Sequence, residues 1–143
     1  MTDLAELLVG EEEGRDPCTY KDTRGYDTIG IGCLVDHRIQ GAGLCDAAIS
    51  VQFAHDSLVA RSVAAGWPHF DELSDVRKAV YISMAFQLGN KPRGWPQFMG
   101  GLANRDYIAA ALAGLDSEWA RIQTPKRAAR EMTMLRTNSW IPK

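Results

Sequence analysis

At 143 residues, with 45% apolar and 24% charged side chains, the chain has the size and balance of one ordinary globular domain able to bury a core. A formal net charge of only −2 argues against a dedicated nucleic-acid binder. No apolar run approaches the ~20 residues of a membrane-spanning helix, so stable membrane insertion is not expected. The small net charge hides an asymmetry. Residues 1–60 carry −7 and residues 61–143 carry +5. An acidic half and a basic half suggest two faces turned toward a polar or anionic substrate.

In chain order, Leu4, Leu7 and Leu8 recur at helical spacing, with Asp3 or Thr2 able to cap the start. Gly14 and Pro17 predict that this helix ends near Glu13. Cys18-Thr19-Tyr20 and Tyr26 to Ile31 are predicted as short strands, joined by a turn over Lys21 to Gly25. Cys33 to Gly43 is short and turn-rich. Asp46 to about Ala65 is predicted as one long helix with Ala48, Ile49, Phe53, Leu58 and Val59 on an apolar stripe, stopped by Gly66. The next helix starts at Ser74 and runs toward Gly89. Its second half has almost no polar face, the pattern of a buried central helix. Shorter helices are predicted around Gln97 to Ala103, Asp106 to Gly114 and Ser117 to Arg121. A last one starts at Thr124-Pro125, with proline at the first helical position, and runs to about Met134. Asn138 is a candidate left-handed residue and Trp140 a packing anchor. The expected architecture is α+β and mostly helical. A β-hairpin lobe (14–45) joins through a connector helix (46–65) to a helical lobe made of 1–13 with 66–143, all in one domain.

Several chemistries lack a signal. Cys18, Cys33 and Cys45 are odd in number and have no metal-ligand spacing, and His37, His55 and His69 form no zinc pattern. Neither a metal nor a cofactor is expected. The Gly30 to Gly32 run lacks the third glycine and the helix of a dinucleotide-binding turn. The opening MTDLAELLVGEEEG has no basic or apolar signal region, so synthesis in a cytoplasm without a secretory leader is expected.

The stretch EGRDPCTYKDTRGYDTIGIG, from Glu13 to Gly32, holds Glu13, Asp22 and Thr28. Eight residues separate the first two and five the next two. A helix end, a hairpin turn and its return strand can pool two carboxylates and a hydroxyl at one edge. A carboxylic acid and a second carboxylate are what glycosidic hydrolysis needs. One protonates the leaving oxygen, and the other activates water or attacks the anomeric carbon. Alone, such a triple is a weak signal.

The spacing and its glycines resemble the catalytic signature of the phage-type lysozymes, glycoside hydrolase family 24, with the T-even bacteriophage members as the nearest likeness. The likeness extends to Asp75-Val76-Arg77-Lys78-Ala79, to Phe86-Gln87-Leu88-Gly89, and to Gln123-Thr124-Pro125-Lys126-Arg127-Ala128 with Leu135-Arg136-Thr137 and Trp140. It implies that Glu13 is the general acid, Asp22 the second carboxylate and Thr28 the water-orienting hydroxyl. It implies that Arg127 contacts the acid, and that Leu34, Phe86 and Gln87 touch the sugar chain. The implied activity is hydrolysis of β-1,4 bonds between N-acetylmuramic acid and N-acetylglucosamine in bacterial peptidoglycan, with inversion. The implied setting is a monomeric endolysin of a bacteriophage, reaching the periplasmic wall with the help of a holin and lysing the cell. A lytic transglycosylase and a non-catalytic wall-binding domain are the alternatives. The transglycosylase needs no water-activating carboxylate, so Asp22 and Thr28 speak against both. The chain departs from the family pattern at Cys33, where the family often has histidine. Asp56, the expected partner of that histidine, should then be left without one. The segment between hairpin and connector helix is also markedly shorter.

Overall fold

Helix α1, Leu4–Glu13, opens on an Asp3 carboxylate that accepts from the Glu6 amide at 2.9 Å. It closes on Gly14, whose amide returns to the Gly10 carbonyl. Gly14 has φ 72°, a left-handed value that glycine adopts without a side-chain clash. A computed structural model describes residues 3–14, 16–21, 27–30, 33–34 and 46–143, with side chains for 3–14 and 47–143. The expected turn from Asp22 onward and the segment from Val35 to Cys45 lie outside the described residues.

The backbone after Gly14 forms three short strands, β1 Asp16–Lys21, β2 Asp27–Gly30 and β3 Cys33–Leu34, in a β1-β2-β3 antiparallel ribbon. Thr28 pairs with Tyr20 on one side and Leu34 on the other, and Lys21 pairs with Asp27. The register shifts between Asp16 and Tyr20, on the strand that carries Pro17.

The rest is helical: α2 Asp46–Ala65, α3 Asp75–Leu88, α4 Pro96–Ala103, α5 Tyr107–Leu115 and α6 Pro125–Thr137, with 3₁₀ turns at Phe70–Glu72 and Lys91–Gly94 and a π-helical turn at Trp119–Gln123. The α+β, bilobal assignment is therefore corrected. Where side chains are described the chain is 79% helical, with seven helices when the π-helical turn is counted with the six α-helices, and without a strand, so the class is all-α. The physical reason is size. A ribbon with strands of six, four and two residues cannot make a packed layer of its own. The described core is one continuous cluster drawn from α1 through α6 and their connections.

Helix α3 is the axis of that cluster. Ser74 caps it through the Arg77 amide, and the residues from Ala79 to Ala85 are all buried. It packs against α1, α2 and α6. An almost wholly apolar helix has no face to give to water, which places it centrally. In α2 the buried face runs through Ile49, Ser57, Ala60 and Ala64, while Leu58 and Val59 are exposed. The expected stripe is corrected there, because these two residues sit off the 3.6-residue row that meets α3. Helix α6 reaches Thr137, three residues beyond the expected end, before Asn138 closes it at φ 56°, ψ 33°. The expected helix around Ser117 to Arg121 is instead the π-helical turn, in which the Thr124 amide reaches back five residues to the Trp119 carbonyl at 2.9 Å.

Helices α4 and α5 meet where Gly101 lies on Ala110. A methyl group there would sit 2.7 Å from the Ala110 amide nitrogen, against backbone that cannot yield. At Gly114 the nearest atoms belong to the flexible Met132 side chain. We predict that Gly101→Ala destabilises the fold by about 1–3 kcal/mol despite better helix propensity. Gly114→Ala should cost clearly less. Urea unfolding of both variants checks the order, and equal midpoints would contradict this packing.

Candidate active site

Three glutamates end α1, and two arginines of α6 sort them. Arg130 donates from Nη2 to Glu11 Oε2 at 2.6 Å and from Nη1 to Glu12 Oε1 at 2.5 Å. Its Nε donates to the Ile141 carbonyl at 2.7 Å, and the guanidinium lies 5.5 Å from the centre of the Trp140 ring. Glu11 and Glu12 are thus engaged in holding α1 to α6 and the tail. Glu13 alone meets Arg127, which donates to its Oε1 from Nη1.

Arg127 is buried and committed on its other edges as well. Nε donates to Glu131 Oε1 at 2.9 Å, and Nη2 donates to the Ser83 hydroxyl at 2.9 Å and the Ser83 carbonyl at 3.2 Å. The Ser83 hydroxyl in turn donates to Glu131 Oε1 at 2.6 Å. The guanidinium therefore bridges α1, α3 and its own helix. Burial works to strip its proton, but the pull of Glu131 and Glu13 outweighs that and holds Arg127 above the ordinary arginine value. For Glu131, burial outweighs the pull of Arg127 and the Ser83 hydrogen bond and holds the carboxyl above the ordinary glutamate value. Glu13 keeps 17% of its side-chain surface and Glu131 keeps none, so of these two carboxyls only Glu13 meets solvent.

The seam between α3 and α6 continues one turn along. Gln87, on the same face of α3 as Ser83, donates to the Thr124 hydroxyl at 3.2 Å and accepts from Trp119 Nε1 at 2.7 Å. Its amide anchors the π-helical turn at the start of α6. Phe86 points the other way, packing on Phe53 of α2 with ring centres 6.0 Å apart. Neighbours on α3, these two residues thus serve different faces.

Of the other predicted residues, Asp22 lies outside the described residues. Thr28 and Leu34 face each other across the β2–β3 pair by their backbones. Asp56 is not left without a partner. It accepts from Gln52 Nε2 at 2.9 Å and lies 3.2 Å from His55 Nδ1, so its partners come from its own helix. Among the described residues no three His, Cys, Asp or Glu side chains converge to hold a metal ion.

Sequence reasoning passed over Glu131 and Ser83. Glu131 occupies a core position of α6, between the buried Ala128 and Leu135, four residues after Arg127. That pairing at i, i+4, on a face otherwise apolar, was the available signal. Ser83 stood alone in an apolar helix, and its partner is far away in sequence.

No protein-family model matches the chain.

The cluster predicts a stability pattern. Arg127→Ala leaves Glu131 buried without its cation and should cost on the order of 3–5 kcal/mol. Replacing Glu131 by methionine in the same chain should recover most of the loss, since the uncompensated charge is gone. Urea unfolding of the single and double variants reads both. A loss below about 1 kcal/mol for the single variant would show that the cluster is not tightly coupled.

Proposed function

We propose that this chain is a peptidoglycan hydrolase, cutting the β-1,4 bond between N-acetylmuramic acid and N-acetylglucosamine. One observation carries the reading. Of three consecutive glutamates, Glu11 and Glu12 are bound by Arg130, while Glu13 stands apart at the helix end, part-exposed and hydrogen-bonded to a buried arginine. The same residue heads the Glu13, Asp22, Thr28 spacing that resembles the phage-type lysozymes.

In the proposed reaction Glu13, protonated, gives its proton to the glycosidic oxygen as the bond to the anomeric carbon breaks. Asp22, ionised, takes a proton from a water molecule that attacks the anomeric carbon from the opposite face. Thr28 orients that water. The products are one chain ending in a free reducing sugar and one ending in a new hydroxyl. The configuration inverts because water enters directly. Only side chains and water take part. Leu34 and Gln87 are proposed to line the sugar path, with Gln87 already held in place by Thr124 and Trp119, whereas Phe86 is taken up by its packing on Phe53. The protein is proposed to act as a monomer on the bacterial wall, released to it by a holin during phage-driven lysis.

Glu13→Gln and Asp22→Asn should each lower hydrolysis of purified cell wall by at least about 100-fold, the usual share of a positioned acid or base. Circular dichroism should show both variants folded. Full lysis by both would sink the assignment.

A further inference from the structure

Helix α1 ends on Glu11, Glu12 and Glu13, and its last turn holds no basic residue of its own. Acidic side chains thus crowd the negative end of a helix dipole, where cations are favoured. The Gly14 amide takes the Gly10 carbonyl, and beyond it the helix has no later turn to supply donors. On its own sequence this end would fray. Yet Glu13, its last residue, is the one that the proposed hydrolysis needs in a fixed place. The hold has to come from elsewhere in the chain.

Arg127 holds the Glu13 carboxyl and no other group of α1. The residues before Glu13 are held by Arg130 and the tail. All three nitrogens of Arg130 are engaged: Nη2 with Glu11, Nη1 with Glu12, and Nε with the Ile141 carbonyl at 2.7 Å. The Nε bond sets the plane of the guanidinium, so that both Nη groups point at α1 as a fork. The Trp140 ring, 5.5 Å from the guanidinium carbon, packs beside it. Arg130 keeps 9% of its side-chain surface and Glu12 keeps 7%, so this is not an exposed pair of the kind that contributes little. Lys143 adds a second cation, donating from Nζ to the Glu11 carbonyl in the last turn of α1. We infer that Arg130, aimed by the tail 139–143, is a positioning residue for the proposed reaction: it keeps the last turn of α1 wound, and with it the backbone from which Glu13 presents its carboxyl. Glu11 and Glu12 are the handles by which that turn is gripped, which gives each of the three consecutive glutamates a use. The inference rests on Glu13 being the acid of the proposed hydrolysis.

Arg130→Gln removes the fork and leaves Arg127 and the three glutamates in place. The test reads amide hydrogen exchange by NMR in parent and variant, beside the kinetics of wall hydrolysis. In the variant the Glu13 and Gly14 amides should exchange about tenfold faster, while those of α3 keep their rates. The kcat should fall on the order of tenfold to a hundredfold with the wall concentration at half-maximal rate unchanged, because a misplaced acid slows the chemistry and not the binding. A merely structural role would speed exchange in every helix alike and leave kcat per folded molecule as it was. Unchanged exchange at Glu13 and Gly14 in the folded variant overturns the inference, and so does faster exchange there with kcat kept. The exchange arm needs no activity. If the parent itself cleaves no wall, the hydrolase reading falls alone, and faster exchange confined to the end of α1 still supports the hold on Glu13. Should Arg130→Gln not fold, Trp140→Leu, which takes away the ring beside Arg130 and keeps an apolar anchor, decides: faster exchange at Glu13 and Gly14 supports the inference, and unchanged exchange there overturns it.

Discussion

A guanidinium taken out of water has to be surrounded by acceptors, and the structure around Arg127 follows from that demand. Three helices each bring one group to it: α1 brings Glu13, α3 brings Ser83 and α6 itself brings Glu131. None of the three elements can move far without stranding the charge. Leu8 of α1, Val80 and Met84 of α3 and Leu135 of α6, all fully buried, belong to the one apolar cluster that joins these helices. The last residue of α1 is held in place as a result, although it is the point where the chain leaves the helix.

The division of labour among the three glutamates follows from helix geometry. Arg127 and Arg130 are three residues apart and so lie on one face of α6. Each takes a different part of the α1 terminus. Arg130 is itself fixed by the Ile141 carbonyl and the Trp140 ring, so the tail is used to set the end of the first helix. Gly14 then turns the chain at a left-handed φ toward the ribbon, where the register lines Thr28 up with Tyr20 and Leu34. On the α3 side, Ser83 and Gln87 repeat the arrangement one turn apart, tying the start of α6 to the same axis.

Much of this framework is local enough to be legible in the sequence. Asp3, Ser74 and Asp106 satisfy amides of their own first turns, and Gly14 and Gly89 close helices at positive φ; these choices concern only near neighbours. What was missed depends on distant partners or on proportion. The short strands suggested an α+β class, but so few residues cannot make a layer, and the body is helical. Leu58 and Val59 looked like core by composition, yet α2 is turned so that Ser57, Ala60 and Ala64 face inward. The π-helical turn is held by Gln87 on another helix. Glu131 looks like a surface glutamate until Arg127 and Ser83 are seen around it. Glu13, by contrast, was singled out by a motif spacing, and Arg127 by the resemblance to the phage-type lysozymes, rather than by any local rule.

In the proposed hydrolysis a glutamate held by a buried arginine donates the proton, a downstream aspartate is the base, and water is the nucleophile. Mass spectrometry of the soluble fragments from purified peptidoglycan tests that directly. Attack by water gives fragments ending in reducing N-acetylmuramic acid. Fragments ending in 1,6-anhydro-N-acetylmuramic acid, or no soluble fragments at all, would contradict it.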